Sequence, residues 1–142
     1  MLVSHILREK GREVVSVSAD TSLGEAAALL ARHRIGAILV LKNGAVRGIL
    51  SERDIVRALA VDAASALHTS VETYMTRTVS SCAETDAIEE IMEKMTCGRF
   101  RHMPVLDRGR LCGIVSIGDV VKARIAEATY EAAALKDYIV IG

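Results

Sequence analysis

The chain is written twice. Laid on itself with a shift of 65 positions, the 142-residue sequence brings identical residues together: Glu25 with Glu90, Arg34 with Arg99, Val40-Leu41 with Val105-Leu106, Gly44 with Gly109, Gly48-Ile49 with Gly113-Ile114, Ser51 with Ser116, Asp54 with Asp119 and Val56 with Val121. Before Ser22 the shift becomes 64, pairing Val15 with Val79 and Thr21 with Thr85, so one residue is gained in the turn leading into the helix. Such a period restricts the fold to two copies of one supersecondary unit. A unit of about 60 residues buries only about 60% of its surface, so the copies are expected to pack on each other as a pseudo-two-fold pair with clefts between them.

Each copy reads as β-α-β-β-α, an α+β fold. Val14 to Val17 and Thr78 to Ser80 have the look of a short strand. A helix follows, with Leu23, Ala26, Ala27 and Leu30 on one face and Ile88, Ile91, Met92 and Met95 on its twin, at the i, i+3, i+4, i+7 spacing of an amphipathic helix. Ser22 and Glu25 make a capping-box start. Arg34 and Arg99 fall at the ends of these helices, where the dipole favours a cation. A hairpin comes next, turning at Asn43-Gly44 in one copy and Arg108-Gly109 in the other, the two positive-φ positions of a tight turn. A second helix starts near Ser51 or Ser116. This divides the chain into a first repeat (1–61), a connector (62–77), a second repeat (78–126) and a C-terminal helical extension (127–142). From Asp119 to Ile139 the residues Val121, Ile125, Ala128, Ala132, Leu135 and Ile139 fall alternately four and three apart, a heptad-like seam that covers either its own domain or a second copy of the chain.

Composition removes several functions. Hydrophobic residues make up 51% and charged residues 25%, which excludes a disordered chain. Eighteen basic and eighteen acidic residues cancel, so there is no cationic excess to bind nucleic acid and little self-repulsion to oppose association. With no Trp, one Phe and three Tyr, there is little on which to stack bases, and a bound purine is expected to be held by aliphatic side chains and backbone. Cys82, Cys97 and Cys112 are odd in number and lack a C-x-x-C spacing, and His5, His33, His68 and His102 are scattered, so neither a disulfide framework nor a metal site is expected. The start lacks a basic flank followed by an apolar core, and the apolar run Ile35 to Leu41 is far too short to span a bilayer. A cytoplasmic protein without a membrane partner is the expectation.

The strongest repeated string is Gly48-Ile49-Leu50-Ser51-Glu52-Arg53-Asp54, with its twin Gly113-Ile114-Val115-Ser116-Ile117-Gly118-Asp119, at the passage from strand to helix. Two readings stand side by side. Ser-x-x-Asp at a helix start is a capping box, which duplication would copy as faithfully as a binding site. It is also a serine and a carboxylate beside free helix N–H groups, able to chelate a ribose diol near an anion.

Together with Tyr74-Met75-Thr76 and Arg101-His102-Met103-Pro104-Val105, these strings resemble a tandem pair of CBS domains (a Bateman module), and more narrowly small bacterial proteins made of little besides that pair, as Gly98-Arg99-Phe100-Arg101-His102 and the run from Gly118 to Ile125 suggest. The resemblance covers nearly the whole chain. It implies a homodimer and an adenosine ligand (AMP, ADP, ATP, NAD, NADH or S-adenosylmethionine) in the clefts between repeats. Carried over by position, Asp54 and Asp119 hold ribose hydroxyls, and Ser51 and Ser116 contact ribose or phosphate. Ile35, Gly36, Ala37, Ile49, Met75, Thr76, Val79, Ser80, Phe100, Met103, Pro104 and Ile114 line the pocket. The copies differ: Arg101 and His102 replace Gly36 and Ala37, Pro104 replaces Leu39, and Arg53 has Gly118 as its twin. Because a guanidinium forks phosphate, Arg101 and Arg53 are expected to meet phosphates, with His102 either a ligand contact or a packing residue.

No nucleophile–base pair, phosphate loop or metal cluster is visible, so the expected function is a non-catalytic sensor, with no catalytic cofactor, that regulates an unknown effector protein. The alternatives are a redox or protein-interaction scaffold working through a cysteine, and a weak nucleotide-processing enzyme.

Overall fold

A computed structural model describes residues 1–141. Their order is α1 (Val3–Lys10), β1 (Ser16–Ser18), α2 (Leu23–His33), β2 (Ala37–Lys42), β3 (Ala45–Ser51), α3 (Glu52–Asp62), two 3-10 turns (Ala63–His68 and Val71–Thr73), α4 (Ile88–Gly98), β4 (His102–Asp107), β5 (Arg110–Ser116) and α5 (Ile117–Ile141). The chain folds as two compact units that do not follow chain order. The N-repeat unit holds Glu13–Ser80 and the hairpin tip Asp107–Cys112; the C-repeat unit holds Met1–Arg12, Ser81–Leu106 and the chain from Gly113 on.

In the N-repeat unit β1 pairs parallel with β2, Val17 opposite Val40, and β2 pairs antiparallel with β3. Leu23, Ala26 and Leu30 of α2 are buried against Ile38, Val40 and Leu50 of the sheet, with Ala66 and Val71 from the 3-10 turns in the same core. The connector is therefore folded chain. In the C-repeat unit Ile88, Ile91 and Met95 of α4 are buried with Met103, Val105 and Val115. Both hairpins turn as the sequence implies, with φ of 52° and 79° at Asn43-Gly44 and 51° and 79° at Arg108-Gly109. Arg34 and Arg99 close α2 and α4 through their backbone, in the left-handed conformation at φ of 53° and 56°. Of the expected capping box on α2, one half forms: the Glu25 N–H donates to Ser22 Oγ at 3.2 Å.

Two expectations fail. Thr78 to Ser80 is not a strand; the second copy keeps only a single parallel bridge, Cys82 to Val105. The Cys82 N–H donates to the Pro104 carbonyl (3.1 Å) and the Leu106 N–H to the Cys82 carbonyl (2.8 Å). The next rung would need an N–H from residue 104 to reach the Ser80 carbonyl, and proline has none. Cys82–Val105 is also Val17–Val40 displaced by 65, and α2 and α4 begin at Leu23 and Ile88, again 65 apart, so no residue is gained before the helix.

α1 was not anticipated, although Val3, Ile6 and Leu7 are spaced as a helix face, all three are buried, and Gly11 (φ 98°) ends the helix. Its placement follows a rule that both units obey: each repeat is completed by the segment that leads into the other repeat. The Leu23 N–H donates to the Thr69 carbonyl (2.9 Å) and the Val71 N–H to that of Thr21 (2.8 Å). In the C-repeat unit the Ile88 N–H donates to the Met1 carbonyl (3.1 Å) and the Val3 N–H to that of Asp86 (2.9 Å). Glycines receive these leaders. A Cβ on Gly48 would lie 2.6 Å from Met75 Sδ, and one on Gly113 would lie 2.8 Å from a Leu7 methyl.

Candidate functional site

The repeated Ser-x-x-Asp strings sit where β3 passes into α3 and β5 into α5. At the first corner the Ser51 N–H donates to Asp54 Oδ2 (2.9 Å) and the Asp54 N–H to Ser51 Oγ (3.3 Å), a complete capping box. The Ser51 hydroxyl also reaches Asp54 Oδ2 (3.2 Å). The leader adds Thr76, whose hydroxyl lies 3.2 Å from Oδ1 and 3.3 Å from Oδ2. Thr76 is fixed there by a two-way backbone bridge to Ile49 (3.0 and 2.9 Å). Asp54 is 6% exposed, the one buried charged side chain among the described residues, and both of its oxygens have partners.

The second corner repeats the cap but not the plug. The Ser116 N–H donates to Asp119 Oδ2 (2.9 Å) and the Asp119 N–H to Ser116 Oγ (3.1 Å). In place of a threonine, the leader delivers Lys10, the last residue of α1. Its ammonium donates to Asp119 Oδ2 at 2.6 Å and to the Ile114 carbonyl at 3.0 Å. Among the described residues no donor is bonded to Asp119 Oδ1. Burial alone would push the Asp119 carboxyl up, but the hydrogen bonds from Lys10 and the Ser116 amide, with the lysine charge, outweigh it and hold the carboxyl below its ordinary value.

The cap reading of the motif is thus realised in both copies. The remaining predicted residues divide. The Gly36 carbonyl takes the Glu52 N–H (3.0 Å) and the Arg101 carbonyl takes the Ile117 N–H (2.8 Å), equivalent ties that hold each helix start to the entry of its middle strand. The side chains of Arg53 and Arg101 are exposed, and His102, which opens β4, is half-buried. Ala37, Met75, Met103 and Pro104 are buried, Ile35, Ile49, Val79 and Ile114 half-buried, and Ser80 exposed. Phe100 lays its ring against Gly98, where no Cβ fits. Lys10 was missed by the sequence reading because nothing in the repeat connects it with Asp119.

Two open grooves are present among the described residues, neither lined by Asp54 or Asp119 themselves. One of about 470 Å³ runs between α2 and α3, lined by Ala27, Leu30, Arg34, Ile35, Ile55 and Val56 among others. One of about 420 Å³ lies on α5, lined by Ile117, Gly118, Val121, Lys122 and Ile125. Among the described residues no three His, Cys, Asp or Glu side chains group as metal ligands, and no helix is long and apolar enough to cross a membrane.

The CBS domain model matches residues 3–61 and 71–126. Among solved structures, the CBS-domain containing protein ATU1752 from Agrobacterium tumefaciens is 50% identical, with 87% of this chain and 99% of that one covered at a TM-score of 0.85. The CBS domain pair of protein MJ0100, solved with 5-methylthioadenosine and S-adenosyl-L-methionine, is 28% identical, covering 87% and 98% at a TM-score of 0.77. The CBS domain protein PAE2072 from Pyrobaculum aerophilum, complexed with AMP, is 28% identical, covering 84% and 89% at a TM-score of 0.74. The duplicated topology, the two equivalent Ser-x-x-Asp corners and these matches together make the chain a member of the CBS domain family, carrying a tandem pair of CBS domains.

Proposed function

We propose that this chain is a non-catalytic regulatory module that binds an adenine nucleotide and passes the binding to a partner as a change in conformation or dimer state. The observation that carries the reading is the second corner. Asp119 is held ionised with one oxygen anchored by the Ser116 amide and the other without a donor among the described residues, at a helix start. An ionised carboxylate so fixed accepts a ribose hydroxyl in a charge-assisted hydrogen bond, worth about 1.5–3 kcal/mol. The solved relatives with AMP and with S-adenosylmethionine support an adenosine ligand; the low aromatic content leaves aliphatic groups such as Ile114 and the backbone to hold the base. Exposed Arg101 and Arg53 supply guanidinium groups for phosphate.

A homodimer belongs to this reading. α3 and α5 carry apolar side chains that nothing among the described residues covers: Val56 is 65% exposed, and Ile125, Leu135 and Ile139 on the heptad-like seam are 61%, 61% and 67% exposed. A second copy would cover them, and a ligand shifts such an association only by its difference in affinity for the two states. A micromolar ligand brings about 8 kcal/mol, ample for a modest shift.

The test is calorimetric titration of AMP, ADP, ATP, NAD, NADH and S-adenosylmethionine into the wild-type protein, Asp54→Ala and Asp119→Ala, with melting curves for each. Binding lost in a variant that stays folded is the expected result. No binding by the wild type, with the variants only melting lower, would leave the motif as a pair of helix caps and the chain as an interaction scaffold. Sedimentation velocity with and without ligand reads the dimer state.

A further inference from the structure

We propose that Lys10 is a ligand-contacting residue that sets the charge preference of the Asp119 site, making it selective for adenosine ligands that carry phosphate over those that do not. The inference rests on the reading of Asp119 as a ribose acceptor.

Three features of the C-repeat unit lead to it. First, Lys10 is positioned rather than loose: it continues the helix face on which Val3, Ile6 and Leu7 are buried, Leu7 fills the space over Gly113, and Gly11 ends the helix one residue later. Second, two of the three ammonium protons are used, on Asp119 Oδ2 and the Ile114 carbonyl, which leaves a third for another acceptor. One corner thus carries both a carboxylate and an ammonium group, each partly exposed: an acceptor for a hydroxyl and a donor for an oxyanion. Third, the N-repeat corner lacks this pairing. Asp54 has Thr76 instead, which brings a hydroxyl and no charge, and both Asp54 oxygens are engaged.

The charge balance explains what the lysine does. A lone ionised carboxylate attracts ribose hydroxyls but repels the phosphate attached to the same ribose. An ammonium at 2.6 Å cancels that repulsion while leaving Oδ1 as an acceptor. An uncharged nucleoside is nearly indifferent to the cancellation; a nucleotide is not.

The experiment is calorimetric titration of AMP and adenosine into the wild-type protein, Lys10→Met and Lys10→Arg, at low and high salt, with melting curves. Lys10→Met is expected to weaken AMP by about tenfold or more and adenosine by less than about threefold, with the AMP deficit shrinking in high salt. Lys10→Arg is expected to restore AMP. Equal weakening of both ligands would reduce Lys10 to a staple for α1, and tighter AMP binding by Lys10→Met would make it an obstruction; either overturns the proposal. If the wild type binds neither ligand, this inference falls before any variant is made, while the ribose reading of Asp119 falls only if the other ligands of the panel fail as well.

Discussion

The two corners of this molecule share a backbone and differ in what closes them. Ser51-Asp54 and Ser116-Asp119 have the same reciprocal cap, the same tie to the entering strand and the same glycine three residues upstream of the serine. One is sealed by a hydroxyl and is 6% exposed; the other is bridged by an ammonium and keeps an unengaged oxygen. Duplication has preserved what the backbone needs and released what the side chains do. The divergence lies in the leaders, because they are the parts each repeat borrows from outside itself.

The comparison is most easily broken at the thiols. Cys82 takes the place of Val17 in the bridge to the middle strand, and burial, aided by Asp86, pushes its thiol up to about 12. It should behave as a small hydrophobe. At pH 8 a maleimide or disulfide reagent is expected to modify Cys82 about a thousandfold more slowly than an ordinary exposed thiol, while exposed Cys97 reacts promptly. Mass spectrometry of peptides over a time course decides it; fast labelling of Cys82 in the folded protein would revive the redox reading.

The aspartates come next. Asp119→Ala is expected to weaken AMP by about tenfold or more with little loss of melting temperature beyond that of a lost cap, whereas Asp54→Ala removes a buried, fully partnered carboxylate and should cost mainly stability, about 1–3 kcal/mol by urea denaturation. Equal binding losses in two folded variants would make the corners equivalent. The glycines sharpen the packing side: Gly48→Val and Gly113→Val force Met75 and Leu7 away from their seats and should each destabilise by about 1–3 kcal/mol, the larger effect at Gly48, where the Thr76 carbonyl at 2.9 Å cannot yield as a leucine methyl can.

The smallest effect is in acid. The folded carboxyl of Asp119 lies below its ordinary value, so its contribution to stability is present above the usual carboxylate range, about pH 4, and is lost as pH falls through the lowered folded value. Melting temperature measured from pH 6 to pH 2 should therefore fall more steeply for the wild type than for Lys10→Met. Parallel curves would mean that the bridge contributes nothing to stability.

Most of the architecture was legible from the repeat. The helix faces, the two turns and the strand-to-helix corners follow from local patterns that duplication printed twice, and the Ser-x-x-Asp cap could be read from spacing. What escaped depended on contacts the period cannot express. The strand at Thr78 to Ser80 was inferred from its twin, but a proline on the opposite strand withdraws the donor. The shift of 64 rests on the pairings Val15 with Val79 and Thr21 with Thr85, which the strand register does not keep. α1 carries a helix face in Val3, Ile6 and Leu7, but it lies outside the repeated pattern and has no twin to mark it. Lys10 and Asp119 are 109 residues apart, and no spacing rule joins a helix end to a corner that far along the chain.

The borrowing of leaders also orders events in time. Residues 13–80 include nearly all of the N-repeat unit, so that unit can begin to form while the chain is still being made. α1 cannot: β5 and α5, which help to seat it, follow it in the chain by about a hundred residues. At about 5–20 residues per second, the 109-position separation of Lys10 and Asp119 corresponds to about 5–20 seconds before the whole seat of α1 exists. α1 thus cannot be fully seated until β5 and the start of α5 have been made, and a ribosome stalled before Ser116 would hold it in that state.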